Sequence, residues 1–537
     1  MSELFYRTED IKPEEVLTYY VETTEDKAII DALKGRNPIL LVGSRGVGKS
    51  FLLRVAEAEL LQERHSTGVL PVYVTFTRAA LLHTSDPDQF YHWMLARLAN
   101  RIIRALQIHG YLVRIPASTC ILTGGTAPTQ DFSSTRIGQI ISDFENSWQS
   151  PGSEVDLTGL PSLDDFKDVI EDICRELGIQ RLAIFFDEAA HIFRPEQQRQ
   201  FFTIFRDLRT PYVTCNAAVY PGVTSYGDTF QPIHDASVMP LARNVLSSDY
   251  VQKMREMVEK QAAAELITNI ATNGQNFAVL AYAASGNPRL LLKTISRAPK
   301  VSGRQVIDVI RDYYRTELWS EHSGLVDRYG GHRIFIDWGR QFIEKTVLPA
   351  LRSKNKQYLS RDKKTTCYFW VHRDAPQAVN EALRLLAYTG IVNLDAQGII
   401  GTRAEIGTRF SVNLGVLFAL EANPTNVGFD VAKSLTPKLM SKYGANYPAY
   451  RPLVDAVPTF TEPNMLEVLN RQMARSVNVL DITERQKEKL HSLNIKTVGD
   501  VIKATENKLQ EAKYIGEKRS RRMRNAAIAA VFEYLSG

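Results

Sequence analysis

The stretch LLVGSRGVGKSFLL, residues 40–53, places three glycines, a lysine and a serine between two apolar runs. Gly43, Gly48, Lys49 and Ser50 fit the spacing G-x-x-x-x-G-K-[ST] of a phosphate-binding P-loop. The preceding run PILLV predicts a short buried strand, and the following run SFLLRVAEAELLQ has helical spacing. A chance glycine turn before a helix is the alternative, and the strand–loop–helix context favours the P-loop.

The predicted phosphate-binding loop consists of Gly43, Ser44, Arg45, Gly46, Val47, Gly48, Lys49, Ser50 and Phe51. Its glycines allow the backbone to curl so that successive N–H groups point at an anion. The start of the following helix adds the positive end of its dipole. Lys49 is therefore predicted to reach the β- and γ-phosphates of ATP, and the Ser50 hydroxyl to ligate Mg²⁺.

The chain as a whole has the composition of a globular protein. It has 537 residues, 44% of them hydrophobic and 23% charged, and this length predicts several domains. No apolar run approaches the length of a membrane span, and the polar, acidic start is unlike a secretory signal. The four cysteines are scattered without a C-x-x-C pair, which favours a reducing compartment and argues against a structural zinc site. These features predict a cytoplasmic protein with no membrane partner.

A second predicted strand ends in two carboxylates. The run from Leu182 to Phe186 is continuously apolar, as expected of a central parallel strand, and Asp187 and Glu188 follow it. Asp187 is predicted to hold magnesium through water, and Glu188 to polarise the attacking water. A buried strand with an acidic turn is the alternative. Because turnover needs both carboxylates, Lys49, Asp187 and Glu188 are the predicted catalytic residues of an ATP hydrolase.

Two further strands are predicted at VLPVYVTFT (69–77) and TPYVTCNAAVYPG (210–222). Asn216, Tyr220 and Thr224, within or just beyond the second, are candidate γ-phosphate sensors, and ordinary strand-end polar residues are the alternative.

Downstream, Gly286-Asn287-Pro288 forms a turn that opens an apolar helix with Arg289 on its first turn. A cation there opposes the helix dipole and calls for an anion such as a γ-phosphate. A surface arginine beside a turn is the alternative.

The order of P-loop, FFDEAAH, sensor strand and SGNPRLL resembles AAA+ ATPases of the origin-recognition and initiator type, and the related signal-transduction ATPases. The resemblance covers about residues 10–300, with a winged helix expected afterwards. It implies that Arg289 is the sensor-2 arginine and that Tyr20 and Val21 lie near the adenine. Such ATPases usually carry an arginine finger after the sensor strand. In this chain no arginine precedes Arg243 in that region. Whether the protein forms a homo-oligomer in which one subunit activates hydrolysis in its neighbour is therefore left open.

The C-terminal stretch YIGEKRSRRMRNAA (514–527) resembles a helix-hairpin-helix, and its surroundings resemble the C-terminal domain of the bacterial RNA polymerase alpha subunit. The turn at Gly516 is predicted to offer backbone N–H groups to a DNA phosphate without reading bases. The predicted DNA contacts are Gly516, Lys518, Arg519, Arg521, Arg522 and Arg524. Residues 481–537 carry a net charge of +4 out of +5 for the whole chain. A protein-binding helical module is the alternative.

Together these patterns predict an α/β P-loop fold of AAA+ type, a parallel sheet with flanking helices, followed by smaller domains. The predicted parts are an ATPase core at 1–245 with an inserted loop at about 110–160, a helical lid at 246–300, a winged-helix-like domain at 301–420, a proline-containing connector at 421–479 and an all-α helix-hairpin-helix module at 480–537. The winged helix either binds DNA or serves only for packing.

The predicted function is that of an ATP-dependent, DNA-associated ATPase with ATP and Mg²⁺ as cofactors and duplex DNA as partner. ATP would switch its conformation or assembly. The alternative is a signal-transduction or antiviral-defence switch whose C-terminal module docks a partner protein that supplies an effector activity.

Overall fold

The computed structural model describes residues 4–528 and 530, except for 77, 79–81, 87, 114–116, 126–133, 151, 189–194, 222–223, 225, 228, 328–331, 362, 402–404 and 455–469. Part of the predicted inserted loop lies outside the described residues. The strands are β1 Ile39–Val42, β2 Val69–Thr75, β3 Arg181–Asp187, β4 Val213–Val219, β5 Ser237–Pro240, β6 Tyr368–His372, β7 Val392–Ile400, β8 Ile406–Val412 and β9 Ser441–Tyr443.

The α-helices are α1 Val16–Tyr19, α2 Thr24–Lys34, α3 Lys49–Thr67, α4 Gln89–Ile108, α5 Arg136–Asn146, α6 Leu163–Leu177, α7 Pro195–Asp207, α8 Pro232–Asp235, α9 Tyr250–Glu259, α10 Ala264–Thr272, α11 Gly274–Ala283, α12 Pro288–Arg297, α13 Gly303–Asp312, α14 Leu318–Ser323, α15 Arg333–Phe342, α16 Leu348–Leu359, α17 Gln377–Tyr388, α18 Leu414–Phe418, α19 Pro424–Lys433, α20 Arg451–Val454, α21 Glu484–Ser492, α22 Val498–Lys503, α23 Glu506–Gln510 and α24 Glu517–Ile528. Within the described part of the chain, no helix combines the length and apolar character needed to cross a bilayer.

The N-terminal domain is built on a five-stranded parallel sheet in the order β2-β3-β4-β1-β5. Side chains of a strand alternate between its two faces. In β3, Leu182, Ile184 and Phe186 enter a core with helices α4–α7, whereas Ala183 and Phe185 enter a second core with α2 and α3. The sheet is thus covered by helices on both faces, which confirms the predicted α/β P-loop fold.

Helices α9–α12, which form the predicted lid, share one hydrophobic core with the following domain up to α20. That domain contains a mixed sheet in the order β7-β8-β6-β9, in which β9 pairs parallel with β6 and the other pairs are antiparallel. Helix α17 and the β7–β8 hairpin lie where the winged helix is predicted, and that assignment stays a prediction. The helix buries Val379, Leu383 and Leu386 in the shared core, so much of its surface is covered by its own domain.

Part of the predicted connector is folded. Helix α19 packs Val431 and Ala432 into the shared core, and β9 joins the mixed sheet. Prolines in this stretch start helices: Pro424 occupies the first turn of α19, where a missing N–H costs nothing. The described part of residues 421–454 therefore belongs to the preceding domain.

The C-terminal module has a small core of its own around Leu490, Val498, Leu509 and Met523. Helices α21 and α22 both begin with capping boxes. Helices α23 and α24 are joined by a turn in which Tyr514 has a φ of 72° and Gly516 is exposed. This geometry is compatible with a helix-hairpin-helix, and that assignment also stays a prediction.

Candidate nucleotide-binding site

The P-loop joins β1 to α3 and folds around its own lysine. Gly46 and Gly48 have φ values of 79° and 106°, in the left-handed region that favours glycine. Lys49 is the first residue of α3, and its Nζ donates hydrogen bonds to the carbonyl oxygens of Gly43 at 2.7 Å and Ser44 at 3.1 Å. The loop therefore surrounds a cation at the start of a helix.

The charge on Lys49 is largely removed from water, since the residue is only 5% exposed. Burial, opposed by the attraction of Asp187 and assisted by the repulsion of Arg289 and Arg45, lowers the pKa of this ammonium from its ordinary 10.5 to about 7. The ring of Tyr220 lies 3.6 Å from Nζ. A phosphate group is the ligand that would stabilise the charged form at this position.

A cavity opens beside the loop. Its lining combines charged and polar groups with apolar and aromatic ones, the two kinds of surface that the phosphates and the base of a nucleotide require. The polar and charged lining residues include Asp26, Gly46, Gly48, Lys49, Ser50, Arg243 and Arg289, and the apolar ones include Ile11, Tyr20, Val21, Phe51, Met257 and Leu292. The hydroxyl of Tyr20 is buried, and none of the described residues accepts or donates a hydrogen bond to it.

The carbonyl groups of further loop residues accept hydrogen bonds that hold the loop in its conformation. Gly43 and Ser44 accept hydrogen bonds from Lys49, Val47 accepts one from Arg243, and the carbonyl of Arg45 accepts one from Asn287. The guanidinium of Arg45 pairs with Glu321 at 2.7 Å.

Arg243 holds the P-loop in place, a role that the sequence does not reveal. Its guanidinium donates to the carbonyl of Val47 at 2.6 Å and pairs with both carboxylate oxygens of Asp26 at 3.1–3.2 Å. The side chains are 9% and 1% exposed. The partners are 217 residues apart in the chain, so no local spacing could have paired them.

The Gly-Asn-Pro-Arg turn touches the P-loop directly. The Asn287 side chain accepts the N–H of Leu290 at 3.3 Å, which caps α12, and donates to the carbonyl of Arg45 at 2.8 Å. A Cβ on Gly46 would lie 3.0 Å from both Asn287 Oδ1 and Arg289 Cβ, so the lid approaches this glycine closely. Arg289 lines the cavity and donates from Nε to the carbonyl of Tyr6 at 3.2 Å.

The two predicted catalytic carboxylates lie outside the cavity lining and are held by β2. Asp187 is 4% exposed and accepts the Tyr73 hydroxyl at 2.5 Å and the Glu188 N–H at 3.0 Å. Glu188 has a φ of 61°, unusual for a non-glycine residue, and accepts the Thr75 hydroxyl at 3.2 Å. Burial, together with Asp187, raises the pKa of Tyr73 well above its ordinary value, so that it stays a donor.

Of the three sensor candidates, only Tyr220 lines the cavity. Asn216 is fully buried near the start of β1, where its amide bonds the N–H of Ile39 and the carbonyl of Leu33, both at 3.1 Å. Thr224 donates to the carbonyl of Tyr220 at 2.8 Å. The amide of Asn216 thus ties α2, β1 and β4 together.

The predicted DNA contacts lie on α24 and the turn before it. Gly516, Lys518 and Arg519 are exposed, and Arg521, Arg522 and Arg524 are half-buried. Arg521 pairs with Glu517 at 2.7 Å, and Arg519 donates to the carbonyl of Tyr514 at 2.7 Å. Lys518 and Arg522 lie against the rings of Phe5 and Tyr6, so part of this surface contacts the N-terminal segment.

The sheet, the loop and the cavity define an α/β P-loop fold with a candidate nucleotide-binding site. The ORC-CDC6-like family model matches residues 5–86, which include the P-loop, and this confirms the predicted resemblance to initiator-type AAA+ ATPases. No curated protein matches the chain in sequence.

Among solved structures, the chain is similar to the Walker-type ATPase paby2304 of Pyrococcus abyssi, with 13% identity and a TM-score of 0.38 over 79% of this chain and 97% of that one. It is also similar to the Orc1 protein of Aeropyrum pernix, solved in complex with DNA, with 16% identity and a TM-score of 0.27 over 78% of this chain and 94% of that one.

Substitution of Asn287 tests the contact between lid and P-loop. We expect Asn287→Ala to weaken Mg·ATP binding about fivefold, because one hydrogen bond to the loop contributes about 1 kcal/mol. Ser302→Ala is the matched control, since Ser302 caps α13 in the same way without touching the loop. Equal ATP affinity of the two variants, measured by calorimetry, would contradict the role given to Asn287.

The lowered pKa of Lys49 predicts a pH dependence. Phosphate favours the ammonium, so above pH 7 binding of Mg·ATP should take up a proton, and its affinity should fall as the pH rises from 7 towards 9. Calorimetry at pH 8 in HEPES and in Tris measures this uptake through the different ionisation enthalpies of the two buffers. Identical binding enthalpies, after correction for dilution, would show that Lys49 is already charged.

Proposed function

We propose that this chain binds and slowly hydrolyses Mg·ATP, that the nucleotide state switches its conformation or assembly, and that it binds duplex DNA through its C-terminal modules. One observation carries the ATP assignment. A buried lysine, a glycine loop and two arginines line the same cavity as a set of apolar and aromatic side chains. The family match over residues 5–86 supports the same conclusion.

In this proposal each residue has a defined task. The P-loop N–H groups and Lys49 hold the β- and γ-phosphates, and Ser50 and Asp187 hold Mg²⁺, which when bound neutralises charge on the phosphates. Glu188 orients the attacking water. Tyr73 and Thr75 fix the two carboxylates through the hydrogen bonds described above, which prevents them from turning towards solvent.

The lid supplies the proposed switch. Arg289 lies on α12 and lines the cavity, and Asn287 on the same turn is bonded to the P-loop. ATP and ADP differ by the γ-phosphate, so they would differ in their attraction for Arg289. Only such a difference in affinity between two conformations can shift their populations.

The DNA assignment is supported by the charge and form of the C-terminal module. A Cβ added to Gly516 would meet none of the described residues within 4 Å, so the backbone here is open to a phosphate, and Lys518 and Arg519 beside it are exposed. Contacts of this type position a protein on DNA without base readout.

Two substitutions separate ATP binding from hydrolysis. Lys49→Ala should abolish measurable Mg·ATP binding, because it removes the cation that the P-loop surrounds. Glu188→Gln should retain binding and lose turnover, because it removes only the carboxylate that orients water. Calorimetry and phosphate release measure the two properties, with Lys27→Ala as a control since that lysine is exposed and pairs with Glu22. Unchanged ATP affinity in Lys49→Ala would refute the site.

Reversal of two charges tests the DNA assignment. Arg521→Glu combined with Arg522→Glu should weaken binding to a random-sequence duplex about tenfold or more, and the wild-type affinity should fall steeply with salt because the gain from counterion release shrinks. Fluorescence anisotropy at two salt concentrations measures both effects. An affinity that changes with neither salt nor charge reversal would favour the alternative, in which the module docks a partner protein.

A further inference from the structure

The N-terminal strap, defined as residues 4–15, lies between the nucleotide cavity and the C-terminal module. Leu4 is buried in the core that contains the lid. The N–H of Phe5 donates to Gln261 of the lid at 2.8 Å, and the carbonyl of Tyr6 accepts from Arg289. Because Phe5, Tyr6, Arg7, Thr8 and Ile11 also line the cavity, one side of the strap forms a wall of the nucleotide site.

The other side of the strap contacts helix α24. The Lys518 ammonium lies 4.3 Å from the centre of the Phe5 ring, and the Arg522 guanidinium 5.4 Å from that of Tyr6. The Asn525 amide donates to the carbonyl of Glu9 and to a carboxylate oxygen of Asp10, both at 3.2 Å. One chain segment therefore touches both proposed binding sites.

The contacting residues of α24 form one face of that helix. Lys518, Arg522 and Asn525 are spaced i, i+4 and i+7, which places them in line along the helix. Two of the three are predicted phosphate contacts. The cations of this face are thus turned towards aromatic rings of the same chain.

Charge complementarity extends this contact. A groove beside the strap has two carboxylates and one ammonium on the strap side and three cations and one carboxylate on the α24 side, from Asp10, Glu15, Lys12, Lys518, Arg521, Arg522 and Glu517. The strap presents carboxylates to the helix that is predicted to receive phosphates. A DNA backbone bound to these cations would have to take the position of these acidic groups.

We propose that the strap and duplex DNA compete for this face of α24, so that the strap holds the module closed and its displacement opens the module to DNA. Since the same strap forms a wall of the nucleotide cavity, DNA binding and nucleotide binding are coupled through it. The coupling is reciprocal. If a nucleotide changes the affinity of the protein for DNA by some factor, DNA changes the affinity for that nucleotide by the same factor. This inference rests on the proposed DNA-binding function.

Substitutions that release the strap test the competition in the full-length protein. Asn525→Ala removes two hydrogen bonds to the strap, and Asp10→Ala removes the acceptor and a carboxylate from the groove; neither residue is a predicted phosphate contact. Each should raise the affinity for a random-sequence duplex about threefold to tenfold, since less of the protein is then held in the closed state.

Each variant has a matched control. Asn478→Ala removes an asparagine of the same module that bonds His491 instead of the strap. Glu14→Ala removes one negative charge from an exposed residue next to the groove. It controls for the increase in DNA affinity that any loss of negative charge would produce. Hydrogen exchange of the strap amides in the wild type gives a second readout, and addition of duplex should accelerate it.

The outcomes are distinct. Tighter DNA binding by both variants but not by their controls, with faster exchange in the strap, supports the competition. DNA binding that responds to charge reversal at Arg521 and Arg522 but not to Asn525→Ala or Asp10→Ala overturns the competition and leaves the proposed function intact. Absence of duplex binding by the wild type and all variants at low salt overturns both.

Discussion

The burial of the Lys49 charge is the constraint around which the N-terminal domain is arranged. An ammonium that is 5% exposed needs partners, and its Nζ has two carbonyl oxygens and an aromatic ring. Those partners are in place only because Gly46 and Gly48 allow the loop to curl back over the lysine. The lowered pKa of Lys49 indicates that these partners do not fully replace the hydration that the ammonium loses on burial. An anion in the cavity would stabilise the charged form.

Keeping the loop in this conformation requires support from distant parts of the chain. The Arg243–Asp26 pair fixes the carbonyl of Val47, and Asn287 fixes that of Arg45. Arg243 lies just before the predicted lid and Asn287 lies within it, so the conformation of the loop and the position of the lid depend on each other. A buried ion pair contributes little net stability by itself, but loss of one partner leaves an uncompensated charge. The main role of this pair is therefore to fix the position of the P-loop.

The features that could be predicted from the sequence are local ones. The P-loop, the acidic strand and the Gly-Asn-Pro-Arg turn each lie within a short segment, where spacing and apolar runs are informative. The supports could not be predicted, because Tyr73 bonds Asp187 across 114 residues and depends on the parallel register of β2 and β3. The folded part of the connector could not be predicted from the sequence for another reason. Proline marks helix starts as well as loops, and Pro424 starts α19.

The strap brings the two ends of the chain together beside the nucleotide site, and the size of its contacts limits what it can do. Two cation–π contacts and two hydrogen bonds of 3.2 Å join it to α24, each contributing about 0.5–1 kcal/mol at a partly exposed site. Their sum is comparable to typical coupling free energies, about 1–3 kcal/mol. A sum of about 2–4 kcal/mol shifts a population by about thirtyfold to several hundredfold. In the proposed competition such a strap would modulate access to the module in a graded way, since duplex DNA of sufficient concentration would displace it without nucleotide.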